Sequence, residues 1–325
     1  MKKVAVIGLG NISTRHRKNV KQLFSGAEVI AVSSSGNLPE QPISDVDKVF
    51  LDIEDAIAEK PDMAIVASPA TMHTAHAVAL IEAGIPVLVE KPLAASVADT
   101  QSIMEAARLH SVAVGVGYCL RYMPVIKELK DIIHTGRMGK IYNIYCETGQ
   151  YLPDWRPSKD YRDSVSVSKI LGGGALLELS HEIDYLHYLF GDLQPVAAVL
   201  RSSEELGLEV EDLADVLALT TENSVVTIHL DFLQKTPNRK IRIIAENGNM
   251  DCDLIKNCLK IIRNGEEHVV FEDNDFDRNR MYLDMLVDFN YLVAGDEHTT
   301  ISLAEAQKTV AFVTSVKNMA GGKYV

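Results

Sequence analysis

The stretch KVAVIGLGNISTRH, residues 3–16, joins an apolar run to a glycine turn and then to a basic, helix-like segment. In a unit that binds a dinucleotide, the first glycine makes a tight turn, the second admits the pyrophosphate and the third lets helix and strand pack closely. Serine is small enough for the third place. We therefore predict a strand, a phosphate-binding turn and a helix, with an ordinary tight turn as the alternative. The residues of this predicted cofactor turn are Gly8, Gly10, Asn11, Ile12 and Ser13.

The chain has 325 residues, more than a typical domain of roughly 100–200, and we expect two domains, 1–122 and 123–325. Its formal net charge of −13 disfavours nucleic acid, which binds Lys and Arg, and favours a small-molecule partner. The four cysteines lie apart without a Cys-x-x-Cys pair, which indicates reduced thiols in a cytoplasmic protein. No segment has the roughly 18 uninterrupted apolar residues of a membrane span, so no membrane partner is expected.

Short apolar runs alternate with helix-like segments through the first third of the chain. The runs are VAVIG (4–8), VIAV (29–32), KVF (48–50), MAIVA (63–67), VLVE (87–90) and VAVGVG (112–117). Buried strands separated by helices are typical of a parallel sheet with helices on both faces. The fold predicted for residues 1–122 is therefore α/β, a doubly wound parallel sheet.

The pattern changes after residue 122. VVTIHLDF (225–232) alternates apolar and polar residues, which is typical of a strand with one buried face, and LADVLALTT (213–221) is its predicted antiparallel partner. KIRIIAE (240–246) precedes an Asn247-Gly248 turn and continues the series. We expect an α+β second domain with an open, mostly antiparallel sheet. Its predicted helices are one continuous helix over 175–190 and a terminal helix over 302–319, a candidate to pack back toward the first domain.

The predicted second strand ends in Ser33, Ser34 and Ser35. Sites that prefer NAD usually carry a carboxylate about 20 residues after the turn, which bonds the ribose 2′-hydroxyl. Three hydroxyls without a carboxylate leave room for a 2′-phosphate, although no arginine stands among them. The expected cofactor is NAD or NADP, with a slight preference for NADP.

Four further stretches carry a family resemblance: ASPATMH (67–73), EKPLA (90–94), GYCLRYMP (117–124) and GGGALLELSHEIDYLHYLFG (172–191). With these motifs in this order, nearly the full chain resembles the Gfo/Idh/MocA oxidoreductases, named for glucose-fructose oxidoreductase and inositol dehydrogenase. The resemblance implies an N-terminal Rossmann domain, a C-terminal sheet domain that often forms a dimer interface, a nicotinamide cofactor, and sugars, inositols or sugar nucleotides as substrates. We expect a homodimer or homotetramer. The residues assigned to the cofactor on this basis are Ser68, Pro69, His73, Glu90 and Lys91.

Glu90, Lys91 and Pro92 follow the predicted fifth strand, at the edge where open α/β sheets bind their ligands. Pro92 forces Lys91 out of helical geometry. The Lys91 ammonium could then bond the reacting hydroxyl and stabilise the negative charge that grows on its oxygen as hydride leaves. The alternative is a surface lysine in an ordinary loop.

Glu178, His181 and Asp184 follow one another at spacings of three, which puts them on one side of the predicted helix. An imidazole, with an ordinary pKa of about 6.5, accepts a hydroxyl proton at physiological pH, so His181 is the predicted general base. The family usually has an Asp four residues before this histidine, where this chain has Leu177, and Glu178 is the nearest substitute. A zinc-protease motif fails because position 185 is Tyr rather than a second His, and no metal is expected.

A loop-like segment, GQYLPDWRPSKDYR (149–162), gathers aromatic and basic side chains. Aromatic faces suit the apolar side of a sugar ring and arginine suits phosphate or carboxylate, so an anionic sugar or a sugar nucleotide is the expected ligand. A packed surface loop or a subunit contact is the alternative. The predicted substrate residues are Arg121, Tyr151, Trp155, Arg156, Tyr161, Arg162 and Asp184, and Lys159 belongs to the same basic and aromatic cluster of the loop.

Together these features predict an NAD(P)-dependent oxidoreductase that transfers a hydride between nicotinamide and a secondary alcohol or ketone of a sugar or sugar nucleotide. The combination of WRP, DYR and SHEID resembles oxidoreductases of bacterial surface-sugar biosynthesis. Two alternatives stay open: a redox-neutral lyase or glycosidase that returns the hydride within each turnover, and a nicotinamide-binding regulator without turnover. A regulator would need neither Lys91 nor His181.

Overall fold

The computed structural model describes residues 1–157 and 160–321, which divide into two compact units. Unit 1 comprises Met1–Cys119 and Asn279–Val310, and unit 2 comprises Leu120–Arg278 and the residues from Ala311 onward. Asn279–Val310 therefore groups with unit 1, whereas the sequence-based boundary at residue 122 puts these residues in the second domain.

Strands and helices alternate in unit 1, and strands predominate in unit 2. The strands are β1 (Lys3–Ile7), β2 (Glu28–Val32), β3 (Lys48–Phe50), β4 (Met63–Val66), β5 (Val87–Val89), β6 (Val114–Val116), β7 (Ile141–Gly149), β8 (Leu193–Arg201), β9 (Leu213–Thr220), β10 (Val225–Asp231), β11 (Asn238–Ala245), β12 (Gly248–Asp253), β13 (Cys258–Arg263) and β14 (Glu266–Glu272). The helices are α1 (Asn11–Leu23), α2 (Ile53–Ala58), α3 (His73–Glu82), α4 (Val97–His110), α5 (Pro124–His134), α6 (Ala175–Glu178), α7 (His181–Phe190), α8 (Arg280–Ala294) and α9 (Leu303–Met319). Within residues 1–157 and 160–321, no helix has both the length and the apolar character that crossing a bilayer requires.

The sheet of unit 1 has the strand order β3-β2-β1-β4-β5-β6, and its pairings are parallel. Two mononucleotide-binding halves in this order meet between β1 and β4, and the crevice at that point is where such sheets bind dinucleotides. Every residue of β4 and β5 is buried, as is typical of strands covered on both faces. The predicted doubly wound sheet is confirmed.

Local signals set several helix boundaries in unit 1. The Ser96 hydroxyl accepts the Asp99 amide at 3.1 Å at the start of α4, and Gly84, with φ +76°, follows the end of α3. No prediction covered α8. Its buried side includes Phe289, which fills the space beside Gly115 of β6, where a Cβ would lie 2.9 Å from the ring.

The sheet of unit 2 has the strand order β14-β13-β12-β11-β7-β10-β9-β8, and β7 with β10 is its parallel pair. β9 and β10 form the predicted hairpin, in which Ile228 lies opposite Val216 and both are buried. A second hairpin joins β11 to β12 through Glu246 and Asn247, one residue earlier than predicted, and Gly248 is the first residue of β12. One face of each of these strands is buried and the other is more open, since side chains alternate along a strand. The predicted open, mostly antiparallel sheet is confirmed.

The prediction of one continuous helix over 175–190 is wrong. α6 ends at Glu178 and α7 begins at His181. Between them the chain makes a tighter turn than an α-helix, because the Ser180 amide donates to the Leu177 carbonyl oxygen three residues back, at 3.4 Å. Such bonds change the rotation per residue. Glu178 therefore ends one helix and His181 begins the next, instead of both lying within a single helix.

Candidate cofactor and substrate sites

Gly8 makes the turn between β1 and α1, and its position admits no larger residue. Its φ is +117°, and a Cβ there would lie 2.5 Å from the Ala67 carbonyl oxygen at the end of β4. The Gly8 amide donates to the Val32 carbonyl oxygen at 2.8 Å. The buried Ser13 hydroxyl donates to the Ala67 carbonyl oxygen at 3.2 Å, so serine fills the third place of the motif. The turn is thus tied to β2 and β4 at the switch point of the sheet.

Gly10 precedes α1 and borders the space where the pyrophosphate is predicted. Its φ of −76° suits any residue, and a Cβ there would meet no atom of the described residues within 4 Å. Across those same residues, no side chain caps α1 and no acidic residue stands in its first turn, which leaves the amides of Asn11 and Ile12 open. A helix N-terminus of this kind attracts phosphate. The turn therefore fits the pyrophosphate of a dinucleotide.

The three serines after β2 differ in what their hydroxyls contact. Ser33 is buried, and its hydroxyl donates to the Asn37 carbonyl oxygen at 2.6 Å and accepts the Asn37 amide at 3.1 Å. It therefore closes the turn that follows the strand. Ser34 is half-buried and Ser35 is exposed, so these two offer their hydroxyls more readily to a ligand.

Two histidines hold the segment after β4, where Ser68 and Pro69 lie. The Ser68 hydroxyl and Nδ1 of His76 share a hydrogen bond of 2.9 Å. The buried His73 ring faces two backbone carbonyls, with Nδ1 2.9 Å from Pro92 O and Nε2 2.8 Å from Ser68 O. Burial lowers the pKa of His73, which favours a neutral ring that donates to one of them. His73 thus joins the loops after β4 and β5, and its contact with a cofactor stays a prediction.

Glu90 is almost fully buried at the end of β5, and both oxygens of its carboxylate have partners. Oε1 accepts Nε2–H of His16 at 2.7 Å, and Oε2 accepts the Lys91 amide at 3.1 Å. Burial alone would raise the pKa of Glu90, but the His16 hydrogen bond and the Lys91 charge lower it, so the carboxylate is ionised at neutral pH. Lys91 is half-buried directly after it.

No sequence prediction included His16, although a signal for it exists. Ser13, His16, Arg17 and Val20 follow the spacing of one helix face, and all four are buried. A polar side chain on a buried face needs a hydrogen-bond partner. That partner lies 74 residues away in the chain, so sequence reasoning could have found the histidine but not Glu90 as its contact.

In unit 2, α6 begins at a glycine turn that closes on Glu211. Gly174 has φ +107°, and a Cβ there would lie 2.5 Å from the Glu211 carboxylate. That carboxylate accepts the Leu176 amide at 3.1 Å, and the Glu211 carbonyl oxygen accepts the Ala175 amide at 2.9 Å. Burial raises the pKa of Glu211. No sequence pattern singled out Glu211, which fixes the start of the segment that carries Glu178.

His181 is the first residue of α7, and both His181 and Glu178 are half-buried. The next residue, Glu182, is fully buried and anchors the helix to the sheet. Its Oε1 accepts the Thr148 hydroxyl of β7 at 2.9 Å and lies 2.8 Å from Nε of Arg239 on β11, forming an ion pair. The position of His181 is therefore fixed through its neighbour. The roles of His181 and Glu178 in proton transfer stay predictions.

Arg121 and Asp184, two of the predicted substrate residues, contact each other. Nε and Nη2 of Arg121 donate to the two carboxylate oxygens of Asp184 at 2.9 and 2.7 Å, and both side chains are buried. The Tyr188 ring covers the guanidinium at 4.7 Å. A two-bond pair of this kind holds both groups in one geometry. It joins α7 to the segment before α5, and substrate contact for either residue stays a prediction.

Trp155, Arg156 and Tyr161 line a cavity of about 280 Å³ in unit 2, together with Asp160 and Asp163. Trp155 Nε1 and the Tyr161 hydroxyl donate to backbone carbonyl oxygens, each at 3.2 Å, which holds both rings in place. Aromatic rings, a guanidinium and carboxylates together suit a ligand with many hydroxyl groups.

The remaining residues of the predicted substrate loop have other surroundings. The exposed Arg162 lies 3.3 Å from the Asp160 carboxylate, forming an ion pair. The Lys235 ammonium lies 3.1 Å from the centre of the Tyr151 ring. Lys159 lies outside the described residues. Substrate contact for Tyr151 and Arg162 stays a prediction.

Comparison with known protein families places the chain in a class. Residues 2–118 match a family described as an oxidoreductase family with an NAD-binding Rossmann fold, and residues 126–251 match the GFO/IDH/MocA C-terminal domain. With the parallel sheet and the glycine turn, these matches define the class as an oxidoreductase family with an NAD-binding Rossmann fold. The chain belongs to the Gfo/Idh/MocA family.

Individual relatives share part of the sequence or the fold. An inositol 2-dehydrogenase of Streptomyces avermitilis is 30% identical over 205 residues, which cover 61% of this chain and 56% of that protein. A 2,7-anhydro-N-acetylneuraminate hydratase of Mediterraneibacter gnavus is 24% identical over 294 residues, 86% of this chain and 75% of that protein. The WlbA dehydrogenase of Bordetella pertussis, solved with NADH and UDP-GlcNAcA, has a TM-score of 0.83 at 21% identity over 99% of this chain and 96% of its own. The chain thus spans little more than half of the first relative, and the structural likeness shows the fold.

Proposed function

We propose that the protein is an NAD(P)-dependent oxidoreductase that acts on a secondary alcohol or ketone of a sugar or sugar nucleotide. The observation that carries the proposal is the turn from Gly8 to Ser13, which leaves the first amides of α1 open at the switch point of an NAD-binding sheet. Lys91 supports it, because it follows β5 at the edge where such sheets bind ligands.

The proposed chemistry divides between two residues. A bound nicotinamide would supply the acceptor or donor of hydride. In the direction of oxidation, His181 takes the proton of the substrate hydroxyl while hydride leaves the carbon that bears this hydroxyl, and a ketone forms. The Lys91 ammonium donates a hydrogen bond to that oxygen and stabilises its negative charge. Glu178 is the second candidate to move this proton.

We infer a slight preference for NADP. β2 is followed by no carboxylate that would repel a 2′-phosphate, and Ser34 and Ser35 have accessible hydroxyls, although Ser33 is committed to its turn. We expect NADPH to bind the cofactor-free protein about threefold more tightly than NADH. Nicotinamide fluorescence in parallel titrations measures both dissociation constants. Tighter binding of NADH would contradict this preference.

The cavity beside Trp155 and Tyr161 supports a sugar as substrate, and Arg156 on its wall supports an anionic one. The test of the proposed function follows nicotinamide absorbance with inositol, glucose and UDP-N-acetylglucosamine, each with NAD⁺ and NADP⁺. Turnover of the sugar nucleotide ahead of the uncharged compounds is the expected result. Equal turnover of all three would contradict the anionic class, and no turnover of any would contradict this substrate range.

A second candidate is a redox-neutral reaction in which the hydride returns to the substrate within each turnover. It is favoured by the relative named as a hydratase, which matches 86% of this chain. Product would then form without net change in nicotinamide absorbance, and the cofactor would stay bound through many turnovers. Chromatography of the products beside the absorbance assay separates the two candidates.

We further propose a homodimer or homotetramer that assembles through the open face of the sheet in unit 2. Tyr145 and Leu217 lie on one row of that face and are exposed, with Thr227 between them. Light scattering would contradict this proposal if it showed a monomer. Four buried cysteines support a cytoplasmic, reducing environment. The WRP, DYR and SHEID motifs support a role in bacterial surface-sugar biosynthesis.

A further inference from the structure

His16 and Glu90 form a buried pair that ends on the backbone of Lys91. We propose that these two are positioning residues for Lys91: His16 fixes the Glu90 carboxylate, and the carboxylate fixes the peptide that carries the lysine. The inference rests on the catalytic role proposed for Lys91. It adds two residues, one of them on the phosphate-binding helix, to the machinery of the proposed reaction.

The bond between the two side chains is enclosed and short. His16 is fully buried, Glu90 is 7% exposed, and Nε2 lies 2.7 Å from Oε1. An ionised carboxylate only accepts hydrogen bonds, so the proton of this bond belongs to Nε2. Hydrogen bonds to a charged group are stronger than neutral ones, and more so where water is excluded. The bond therefore ties α1 firmly to the end of β5.

The surroundings of Glu90 leave its carboxylate little freedom. The Glu90 amide donates to the Val66 carbonyl oxygen at 2.8 Å, which fixes its backbone on β4. Beyond β6, a Cβ at Gly117 would lie 3.2 Å from the Glu90 carboxyl group, so the chain closes on that side. On the remaining side Oε2 accepts the Lys91 amide at 3.1 Å. A carboxylate held in this way sets the direction in which the Lys91 side chain leaves the strand.

The surroundings of His16 support a positioning role for its hydrogen bond to Glu90. The Tyr282 ring packs edge-on against it, with ring centres 6.2 Å apart. Nδ1 is buried and has no hydrogen-bond partner among the described residues. Within those residues, the bond from Nε2 to Glu90 is therefore the hydrogen bond that the ring makes. Apolar side chains of similar volume would fill such a place at least as stably as a buried polar pair. Positioning of Lys91 accounts for the pair where packing does not.

The test compares three variants in turnover and in coenzyme binding. Glu90→Gln keeps the shape but removes the negative charge that strengthens both hydrogen bonds, and His16→Leu removes the donor. We expect each to lower kcat by about 10- to 100-fold, because small misplacements of a reacting group cost this much. KM and the NADH dissociation constant should change by less than about threefold, because both Glu90 oxygens bond groups of the protein rather than the coenzyme. His16→Gln, which restores an N–H near the place of Nε2, is expected to recover most of the rate. Loss of coenzyme binding in step with kcat would contradict positioning.

A double-variant comparison asks whether the pair acts through Lys91. In a Lys91→Ala background, Glu90→Gln is expected to cost no further rate, since there is no ammonium left to position. An equal loss in both backgrounds would overturn the inference. If Lys91→Ala alone turns over normally, the proposed function fails; if it is slow while Glu90→Gln and His16→Leu are normal, only the inference fails.

Amide hydrogen exchange of the cofactor-free protein gives an answer that depends on no substrate. The Lys91 amide donates to Glu90, so the peptide that contains it is expected to exchange about tenfold faster in His16→Leu than in the wild type or in His16→Gln. Unchanged exchange at this peptide in His16→Leu would show that His16 does not hold the lysine. Thermal unfolding of each variant establishes that the change is local.

Discussion

Lys91→Ala is expected to lower kcat by about 10²- to 10³-fold, the cost of removing one donor that stabilises a developing oxyanion. The lysine follows β5, with its amide bonded to the ionised, buried Glu90. Its ammonium is proposed to contact the oxygen of the reacting alcohol, whose negative charge grows as hydride leaves. Because the ammonium is not needed to hold the pyrophosphate at the Gly8 turn, the NADH dissociation constant should change by less than about threefold.

The measurement is steady-state turnover with the best substrate of the panel, together with a nicotinamide titration. Lys60→Ala is the matched control, since Lys60 lies in the same unit in an exposed turn after α2. The control should retain wild-type kcat. A Lys91→Ala variant with near-normal kcat, or one that loses coenzyme binding and kcat together, would contradict the assignment of Lys91 to the oxyanion.

His181→Asn is expected to lower kcat by about 10²- to 10⁴-fold, the usual contribution of a positioned general base. The histidine begins α7, whose start is anchored by the buried Glu182 to Thr148 and Arg239. Asparagine has a similar size but accepts no proton at neutral pH, so the hydroxyl proton would have to leave to water. The anchor itself is untouched, and the variant is expected to unfold at the wild-type temperature.

His187→Asn on the same helix is the control for this variant. His187 lies near the Phe312 ring, with Nδ1 3.3 Å from the Gly191 carbonyl oxygen, and it has no proposed part in the reaction. The kcat of His187→Asn should differ little from that of the wild type. Added imidazole should restore part of the kcat of His181→Asn and should not change the kcat of His187→Asn. Equal loss in the two variants, or full activity of His181→Asn, would assign the proton to another group, of which Glu178 is the next candidate.

The parallel sheet could be predicted because its signal is local. Each strand from β1 to β6 is a short apolar run, and Gly8 marks the turn that follows the first of them. The antiparallel sheet could be predicted for the same reason, since apolar and polar residues alternate over 225–232, which indicates a strand with one buried face. The glycine turn belongs to the same kind of signal, because a tight turn and an open helix N-terminus are properties of consecutive residues.

Contacts between distant residues were beyond such reasoning. Arg121 and Asp184 each suit a polar ligand, and nothing local shows that they satisfy each other across 63 residues. His16 and Glu90 are 74 residues apart, and Glu211 caps α6 from 35 residues beyond Leu176. The break between Glu178 and His181 has a related cause, because separate anchors, Glu211 and Glu182, hold the two helices. The spacing of residues along a helix does not show which residues elsewhere in the chain they contact.

A fluorescence titration of the cofactor-free wild type and a Gly10→Asp variant with NADH and NADPH tests whether the Gly8 turn holds the coenzyme. Gly10 has an ordinary φ and a Cβ there would meet no described atom, so the variant should fold with an unchanged unfolding temperature. The added carboxylate would stand beside the predicted pyrophosphate, and repulsion there should weaken binding by at least about 100-fold. Saturable binding to the wild type that is lost in the variant is the predicted result. A wild type that binds neither coenzyme, or a variant that binds as the wild type does, would contradict the claim that this turn holds a nicotinamide cofactor.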